Sequence, residues 1–476
     1  MTVVELPMHI GGEARRSGAP QTIQLPYDGS PVATVFRGTP ADVEAAVNAA
    51  TAAAPVMREM TREERSAILR RVYQMMLERR DALAWAVMSE SGKPIREARL
   101  EVERASQTVL FASEEAHRLV GEVVPMDASP AGKGRWGMTV REPRGVIAAI
   151  TPFNFPLNLS MHKIAPAIAS GNAVVHKPAS TTPVSALIMA GIFEECGLPK
   201  GAINVVTGAG AELGDALVFS PGVRMVTFTG SAEVGLRIRN LAGTKKVTLE
   251  LGNNSAVIIE EDAHLEEAVP RCVSGSFTHS GQVCISVQRI YVQRKVRDEF
   301  IDRFVDATRK LVIGHPQDPT TDISSLITPA EAERIANWLE EAKQAGARLL
   351  TGGRRRERAT VEPAVFVDVP DHVSISCREA FGPVVGINAY DALEEAIDRV
   401  NRSEYGLQAG IYTRDLEKAF RAANRVQVGG FMINDVPQYR VDQMPYGGVK
   451  MSGTGREGPK YAIEEMTELK LIVWKT

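Results

Sequence analysis

The chain of 476 residues is too long for one ordinary core, and with 44% hydrophobic and 24% charged residues it has the composition of a folded protein, so two or three domains are expected. A formal net charge of -3 gives no electrostatic reason to expect nucleic acid or an anionic membrane as partner, so any anion-binding site has to be local. No window is apolar for long enough to span a bilayer, and the opening MTVVELPMHIGGEARRSG lacks the basic start and apolar run of a secretory leader, so a cytosolic, thiol-preserving setting is expected. Residues 8–36 hold short extended runs (MHIGG, TIQLP, VATVF) separated by Gly, Pro and Asp, which predicts a small strand layer. Thr39, Pro40 and Asp42 then open a helix with a cap, a first-position proline and a first-turn acid. Thr61 and Glu64 form a capping box for a second helix, whose apolar face carries Ile68, Leu69, Val72, Met76 and Leu77.

After a long helical stretch ending near Leu119, residues 121–142 change to strand, Pro/Gly turn, strand. A projecting hairpin leaves open edges, and the apolar run over residues 467–475 has the same need for cover. The two segments are therefore expected to pair across subunits of a homo-oligomer. From Val146 to Glu250 the runs VIAAI, AVVHK, INVVTG, RMVTFTG and KVTLEL alternate with helical stretches, the pattern of a parallel, doubly wound sheet. Ligands bind such sheets at the carboxyl ends of the strands, where this chain places Thr151 to Pro156, Lys177 with Ser180, Gly230 and Ser231 opening a helix, and Glu250. No GxGxxG follows the first strand, so the usual dinucleotide fingerprint is missing. Read singly, Lys177 is equally a solvated lysine, Ser231 a helix cap and Glu250 a surface acid.

A second α/β pattern runs from Asn253 to about Val441, with a helix opened by Thr328 and Pro329, strands near 363–368 and 383–388, and helices from Leu393 and Asp415. Inside it lies FTHSGQVCISVQR, residues 277–289. Gly281 suits a turn, and the alternation of Val283, Ile285 and Val287 predicts a strand beginning at Cys284. The four cysteines, Cys196, Cys272, Cys284 and Cys377, include no CxxC pair, so neither a metal cage nor a disulfide framework accounts for Cys284. A small buried hydrophobe remains the alternative to a nucleophile.

Cys284 in GQVC, Glu250 in LELGNNS, Asn154 in PFNFP, Lys177 in KPAS, the run Glu379 to Pro383 and the run Pro445 to Lys450 stand together in an order that resembles the aldehyde dehydrogenase superfamily over nearly the whole chain. The resemblance implies an α/β protein with a doubly wound parallel-sheet nucleotide-binding domain (residues 1–120 and 143–250), an α/β catalytic domain (251–445) and a small β oligomerisation flap (121–142 and 459–476) in a homodimer or homotetramer. It implies that Cys284 attacks the aldehyde as a thiolate, that Asn154 and the Cys284 N–H meet the oxyanion, and that Glu250 is general base for thioester hydrolysis, with an earlier role on the thiol as a further option. For the cofactor it implies Glu379 on the nicotinamide ribose and Thr229, Gly230 and Ser231 along the pyrophosphate, with Ile150, Thr151, Pro152, Phe153, Gly210, Leu251 and Phe381 completing the contacts. Ser180 stands where many NAD-using members carry a glutamate, which leaves Lys177 to favour a 2′-phosphate, so NADP is expected, with NAD as the alternative.

The runs LNLSMHKIAPAIASGN and NDVPQYRVDQMPYGG are similar to the subset that oxidises lactaldehyde, phosphonoacetaldehyde and sulfolactaldehyde. That likeness implies a substrate anion bound by Arg104, His162 and Arg440, whose other reading is a set of internal contacts: a salt bridge from Arg440 to Asp442 or Asp435, and a satisfied helix histidine at 162. Val283, where the phosphonate enzymes have arginine, points away from a dianion and leaves singly charged or neutral hydroxylated aldehydes such as lactaldehyde or glycolaldehyde. A CoA-acylating relative has no need of Glu250, a non-catalytic protein on this fold has no need of nucleophile, amide and base together, and a cysteine hydrolase would need His279 to reach Cys284.

Overall fold

The computed structural model describes residues 4–476. Its largest sheet has the strand order Gly453–Thr454, Lys246–Glu250, Val223–Thr229, Val146–Ile150, Ala173–Lys177, Ile203–Val205, Met8–Ile10, Glu13–Arg15. The middle five strands run parallel. Every residue of Val146–Ile150 and Ala173–Lys177 is buried, as expected when helices cover both faces of a parallel sheet and leave no solvent side to alternate with. Val146–Ile150 is first of the five in sequence but central in space, because the chain steps one way to Ala173–Lys177 and Ile203–Val205 and then the other way to Val223–Thr229 and Lys246–Glu250. This reversal opens a crevice between the ends of Val146–Ile150 and Val223–Thr229, the place where doubly wound sheets take ligands.

The anticipated helix starts are present. Asp42 accepts the Thr39 N–H at 2.8 Å ahead of Pro40–Glu59, and Thr61 and Glu64 exchange bonds of 2.7 and 3.2 Å ahead of Arg62–Glu78. The early strand layer divides: Val4–Leu6, Pro20–Gln24 and Pro31–Phe36 make their own small sheet, while Met8–Ile10 and Glu13–Arg15 extend the large one.

The second lobe is built on the sheet Arg348–Thr351, Ala364–Val367, Val384–Tyr390, Arg289–Gln293, Ala256–Ile259, Gln408–Tyr412, Gly430–Ile433, parallel except at its first edge. Its apolar clusters are separate from that of the first lobe. The Gly453–Thr454 strand then returns to the first lobe and pairs with Leu249 and Glu250.

The hairpin and the C-terminal strand do not need a second subunit to find each other. Thr467–Lys475 lies antiparallel to Arg135–Pro143 within the one chain, in register from Thr467 opposite Pro143 to Lys475 opposite Arg135. Val123–Val124 completes this sheet on the other side. The expected pairing between subunits is thus replaced by pairing inside the chain, and the outer edge of Thr467–Lys475 is left without a strand. No helix among the described residues is long and apolar enough to cross a membrane.

Candidate active site

Cys284 sits in a turn, not at the head of a strand. The Ser286 N–H closes the turn on the Val283 carbonyl at 2.9 Å, and the strand Arg289–Gln293 begins five residues after the cysteine. The alternation that suggested a strand has another cause: Val283 and Ile285 are buried in a small cluster with Leu407 and Tyr446 and belong to no strand. Just upstream, His279, Ser280 and Gly281 are all left-handed, with φ of 49°, 55° and 74°. A Cβ at 281 would lie 2.1 Å from the Gly382 carbonyl oxygen, so only glycine fits. The bend is pinned by the His279 N–H on Glu97 (2.9 Å) and by the Gln282 side chain, which accepts the Ile327 N–H at 2.8 Å.

The half-buried Cys284 Sγ lies 2.8 Å from the Tyr446 hydroxyl. Burial pushes the thiol up to about 11 against the lowering pull of Tyr446 and Arg440, with Glu379 and Glu250 adding to the rise. Cys196 and Cys272 are buried elsewhere and Cys377 is exposed.

Asn154 leaves the strand Val146–Ile150 and donates from Nδ2 to the Gln282 carbonyl at 2.9 Å, which ties the amide to the turn that carries the thiol. The loop itself is braced by Glu101, whose carboxylate accepts the Leu157 and Asn158 N–H groups at 2.9 and 3.1 Å and pairs with the enclosed Lys93 ammonium. Glu250 ends its strand 2% exposed, and neither carboxylate oxygen has a hydrogen-bond partner among the described residues. Burial, then the neighbouring Glu457 charge, raises it well above the ordinary carboxyl range. Glu457 is held well below the ordinary carboxyl range by Lys163, which it meets at 2.6 Å. A side chain at Gly447, next to Tyr446, would come within 2.8 Å of Glu250 Oε1, so the glycine leaves room for the acid beside the tyrosine that touches the thiol.

A cavity of about 570 Å³ opens onto Cys284, lined among others by Phe155, Tyr446, Arg104, Arg271 and Arg440. Each arginine has a carboxylate partner. Arg104 grips Asp442 at 3.0 and 3.2 Å, Arg271 meets Asp435 at 2.7 Å, and Arg440 meets Glu457 at 3.3 Å. Arg440 therefore pairs with neither Asp442 nor Asp435, because Arg104 and His162 (2.9 Å) already hold the first and Arg271 holds the second. His162 is enclosed, 1% exposed, and is absent from the cavity wall; its ring nitrogen serves Asp442 and Arg440. Arg104 binds Asp442 through Nε and Nη2 and Arg271 binds Asp435 through Nε and Nη2, so each has Nη1 outside its pair, while Arg440 meets Glu457 through Nη2 alone.

Along the crevice, the expected cofactor residues stand at the ends of adjoining strands. Ile150 lies opposite Lys177 in the ladder and Phe228, before Thr229, lies opposite Ile150 on the other side. Pro152 and Phe153 follow Thr151 in the loop, Leu251 is buried after Glu250, Gly210 begins the helix Gly210–Phe219, and Ser231 caps Ala232–Leu241 on the Val234 N–H at 3.4 Å behind Gly230. The backbone oxygen of Ser180 accepts from Gln21 at 3.3 Å. Phe153 meets Phe381 edge-on at 5.7 Å, joining the two lobes across the crevice. Three features fit a nicotinamide dinucleotide. Lys177 is held by burial near 8 with only the Pro178 carbonyl (3.0 Å) on its ammonium. Thr229 Oγ1 is buried without a partner. Glu379 accepts the Asn253 N–H at 2.9 Å, is raised by burial to about 7, and has its space secured by Gly252, where a Cβ would fall 2.5 Å from the carboxylate. The hydrolase alternative loses its base, since both ring nitrogens of His279 are buried without any hydrogen bond. Tyr446, Glu457 and Lys163 were not singled out from the sequence, and Asp442 was named only as a partner for Arg440; the PYGG run held Tyr446, and the other three are single charges that only folding brings together.

The profile of the aldehyde dehydrogenase family matches residues 15–472. The chain is 46% identical over 471 residues to a 3-sulfolactaldehyde dehydrogenase of Priestia megaterium, covering 99% of this chain and 98% of that one. Among solved structures it superposes with TM-score 0.97 and 39% identity on aldehyde dehydrogenase 21 of Physcomitrella patens in complex with the product succinate, over 100% and 99% of the two chains. It superposes with TM-score 0.93 and 39% identity on glyceraldehyde-3-phosphate dehydrogenase GapN of Methanocaldococcus jannaschii complexed with NADP, over 97% and 100%.

Proposed function

Because the chain belongs to the aldehyde dehydrogenase family, and oxidises a small aldehyde to its acid with NAD(P), we propose that its substrate is a short hydroxylated aldehyde carrying one anionic group. The observation that carries this reading is one cavity lined by both Cys284 and Arg104, whose Nη1 lies outside its pair with Asp442. A guanidinium edge of this kind takes a sulfonate or carboxylate oxygen, while the carboxylates paired with every arginine leave no surplus of positive charge for a dianion. Asp442 and His162 hold Arg104 and Arg440 in place behind that contact. Similarity to a sulfolactaldehyde enzyme and to a fold seen with succinate points the same way.

In the mechanism, Cys284 as thiolate attacks the aldehyde carbon, giving a thiohemiacetal whose oxyanion meets the second Asn154 N–H and the Cys284 backbone N–H. NAD(P), when bound, supplies the hydride acceptor that turns this adduct into a thioester. Lys177, Thr229, Gly230 and Ser231 hold the adenosine and pyrophosphate side, and Glu379 with Phe381 the nicotinamide side. Glu250 then takes a proton from the water that releases the acid. With Ser180 in place of an acid, Lys177 is free for a 2′-phosphate, so NADP is the preferred cofactor. Residues 1–120, of which 1–3 lie outside the described residues, and 143–250 form the nucleotide-binding domain, 251–445 the catalytic domain, and 121–142 with 459–476 the oligomerisation flap.

The test is steady-state kinetics on sulfolactaldehyde, succinic semialdehyde, lactaldehyde and benzaldehyde with each cofactor, in wild type and Arg104→Gln. The anionic aldehydes should lead in kcat/KM, and the variant should lose roughly ten- to a hundredfold on them alone, the worth of one hydrogen bond to a charged group. A preference for neutral aldehydes would remove the anion, and a much lower KM for NAD would remove the NADP preference.

A further inference from the structure

We infer that Tyr446 is a further catalytic residue: its hydroxyl donates the hydrogen bond that stabilises and aims the Cys284 thiolate, with the Arg440 guanidinium stacked on the ring to polarise the donor. The proposal rests on Cys284 being the nucleophile. The contact is direct, with Sγ and Oη 2.8 Å apart and the tyrosine 2% exposed, and among the described residues nothing else bonds this hydroxyl. Arg440 lies 3.6 Å from the ring centroid and is fixed there by Glu457 and His162, so the cation is part of the phenol's surroundings in every state of the thiol.

The usual electrostatic aids to a thiolate, a helix N-terminus or a neighbouring cation free to pair with sulfur, are missing around Cys284. It is not at a helix N-terminus, the nearest histidine in sequence, His279, has neither ring nitrogen bonded, and Lys163 is committed to Glu457. Two carboxylates, Glu250 and Glu379, oppose ionisation. Tyr446 and Arg440 are what the fold supplies against them. The direction of donation follows from the same surroundings: burial and the nearby negative groups keep the phenol protonated well above its usual range, so once the thiol has lost its proton the phenol is the donor and sulfur the acceptor.

The bond also has a point in the reaction where it should weaken. When sulfur bonds to the aldehyde carbon it loses its charge and becomes a poor acceptor, so the donor favours the waiting thiolate over the adduct. Its value lies in keeping a population of thiolate ready at neutral pH and in holding Sγ toward the cavity, at a modest cost in intrinsic nucleophilicity.

Tyr446→Phe removes only the hydroxyl and keeps the ring under Arg440. The readout is the pH dependence of iodoacetamide alkylation at Cys284, followed by peptide mass spectrometry, with aldehyde turnover measured on the same samples. The midpoint should rise by about one to two pH units, the size of a hydrogen bond to a charged group. The plateau at high pH should rise by about threefold for each unit, because a more basic thiolate is the better nucleophile. 3-Fluorotyrosine incorporated at position 446, a stronger donor, should move the midpoint down, and this variant serves if Tyr446→Phe fails to fold. An unmoved midpoint, with alkylation still abolishing turnover, overturns the role of Tyr446 alone. Turnover that survives full alkylation of Cys284 overturns the nucleophile on which it rests.

Discussion

Glu250 has two carboxylate oxygens and no hydrogen-bond partner for either among the described residues, an expensive arrangement in a site it occupies at 2% exposure. Burial and the Glu457 charge raise its pKa, so its base form is scarce at low pH and grows as pH rises through the raised value. Thioester hydrolysis should therefore climb with pH above the ordinary carboxyl range. Glu250→Gln should flatten that climb and slow deacylation by about a hundred- to ten-thousandfold while the first-turnover burst of reduced cofactor persists. Cys284→Ala should abolish the burst as well; wild-type-like rates in either variant would contradict the assignment. At this scale the sequence picked out Cys284, Asn154 and Glu250 as candidates because the proposed chemistry calls for a thiol, an amide and a carboxylate. It was uninformative about Tyr446, one of nine tyrosines, and about which carboxylate each arginine takes, because Asp442, Asp435 and Glu457 are interchangeable until folding fixes the distances.

Among the elements, the helix Ile95–Glu115 does more for the site than its scaffold appearance suggests. Glu101 on it caps the start of Asn158–Ala169 and neutralises Lys93, and the Lys93 ammonium in turn sits 3.6 Å over the Phe155 ring. Glu101→Ala would strand a buried cation and two backbone N–H groups, so a loss of about 3–5 kcal/mol is expected in denaturant unfolding. Asn154, a few residues before the freed N–H groups, should lose its alignment, and kcat with it. Unchanged stability would mean that water or another acid replaces the carboxylate. Helix starts such as Thr39 and Thr61 were readable in advance because capping is local. The turn at Cys284 was not, since alternating apolar residues bury equally well in a strand or against a side cluster, and the contacts that decide it come from Leu407 and Tyr446, far along the chain.

For the whole molecule, the alternation of strand and helix from Val146 to Glu250 yields the parallel order of the first sheet, and the second pattern yields a second core. The flap was expected to close between subunits and closes within one, so the remaining liability is the outer edge of Thr467–Lys475, where Leu469, Leu471, Ile472, Val473 and Trp474 are exposed. We expect light scattering to report more than one chain per particle, and Leu471→Lys to lower that mass while leaving the fold intact by circular dichroism. A wild-type mass of one chain would defeat the flap assignment. The return of Gly453–Thr454 to the first sheet has a different consequence. Glu250 is clasped between a neighbour from its own lobe and a segment that has already travelled through the other, so the two halves are interlaced and cannot be traded as separate modules. A chimera that exchanged residues up to 250 alone would divide this clasp between two ancestries, and the carboxylate at its centre would be the first group to lose its footing.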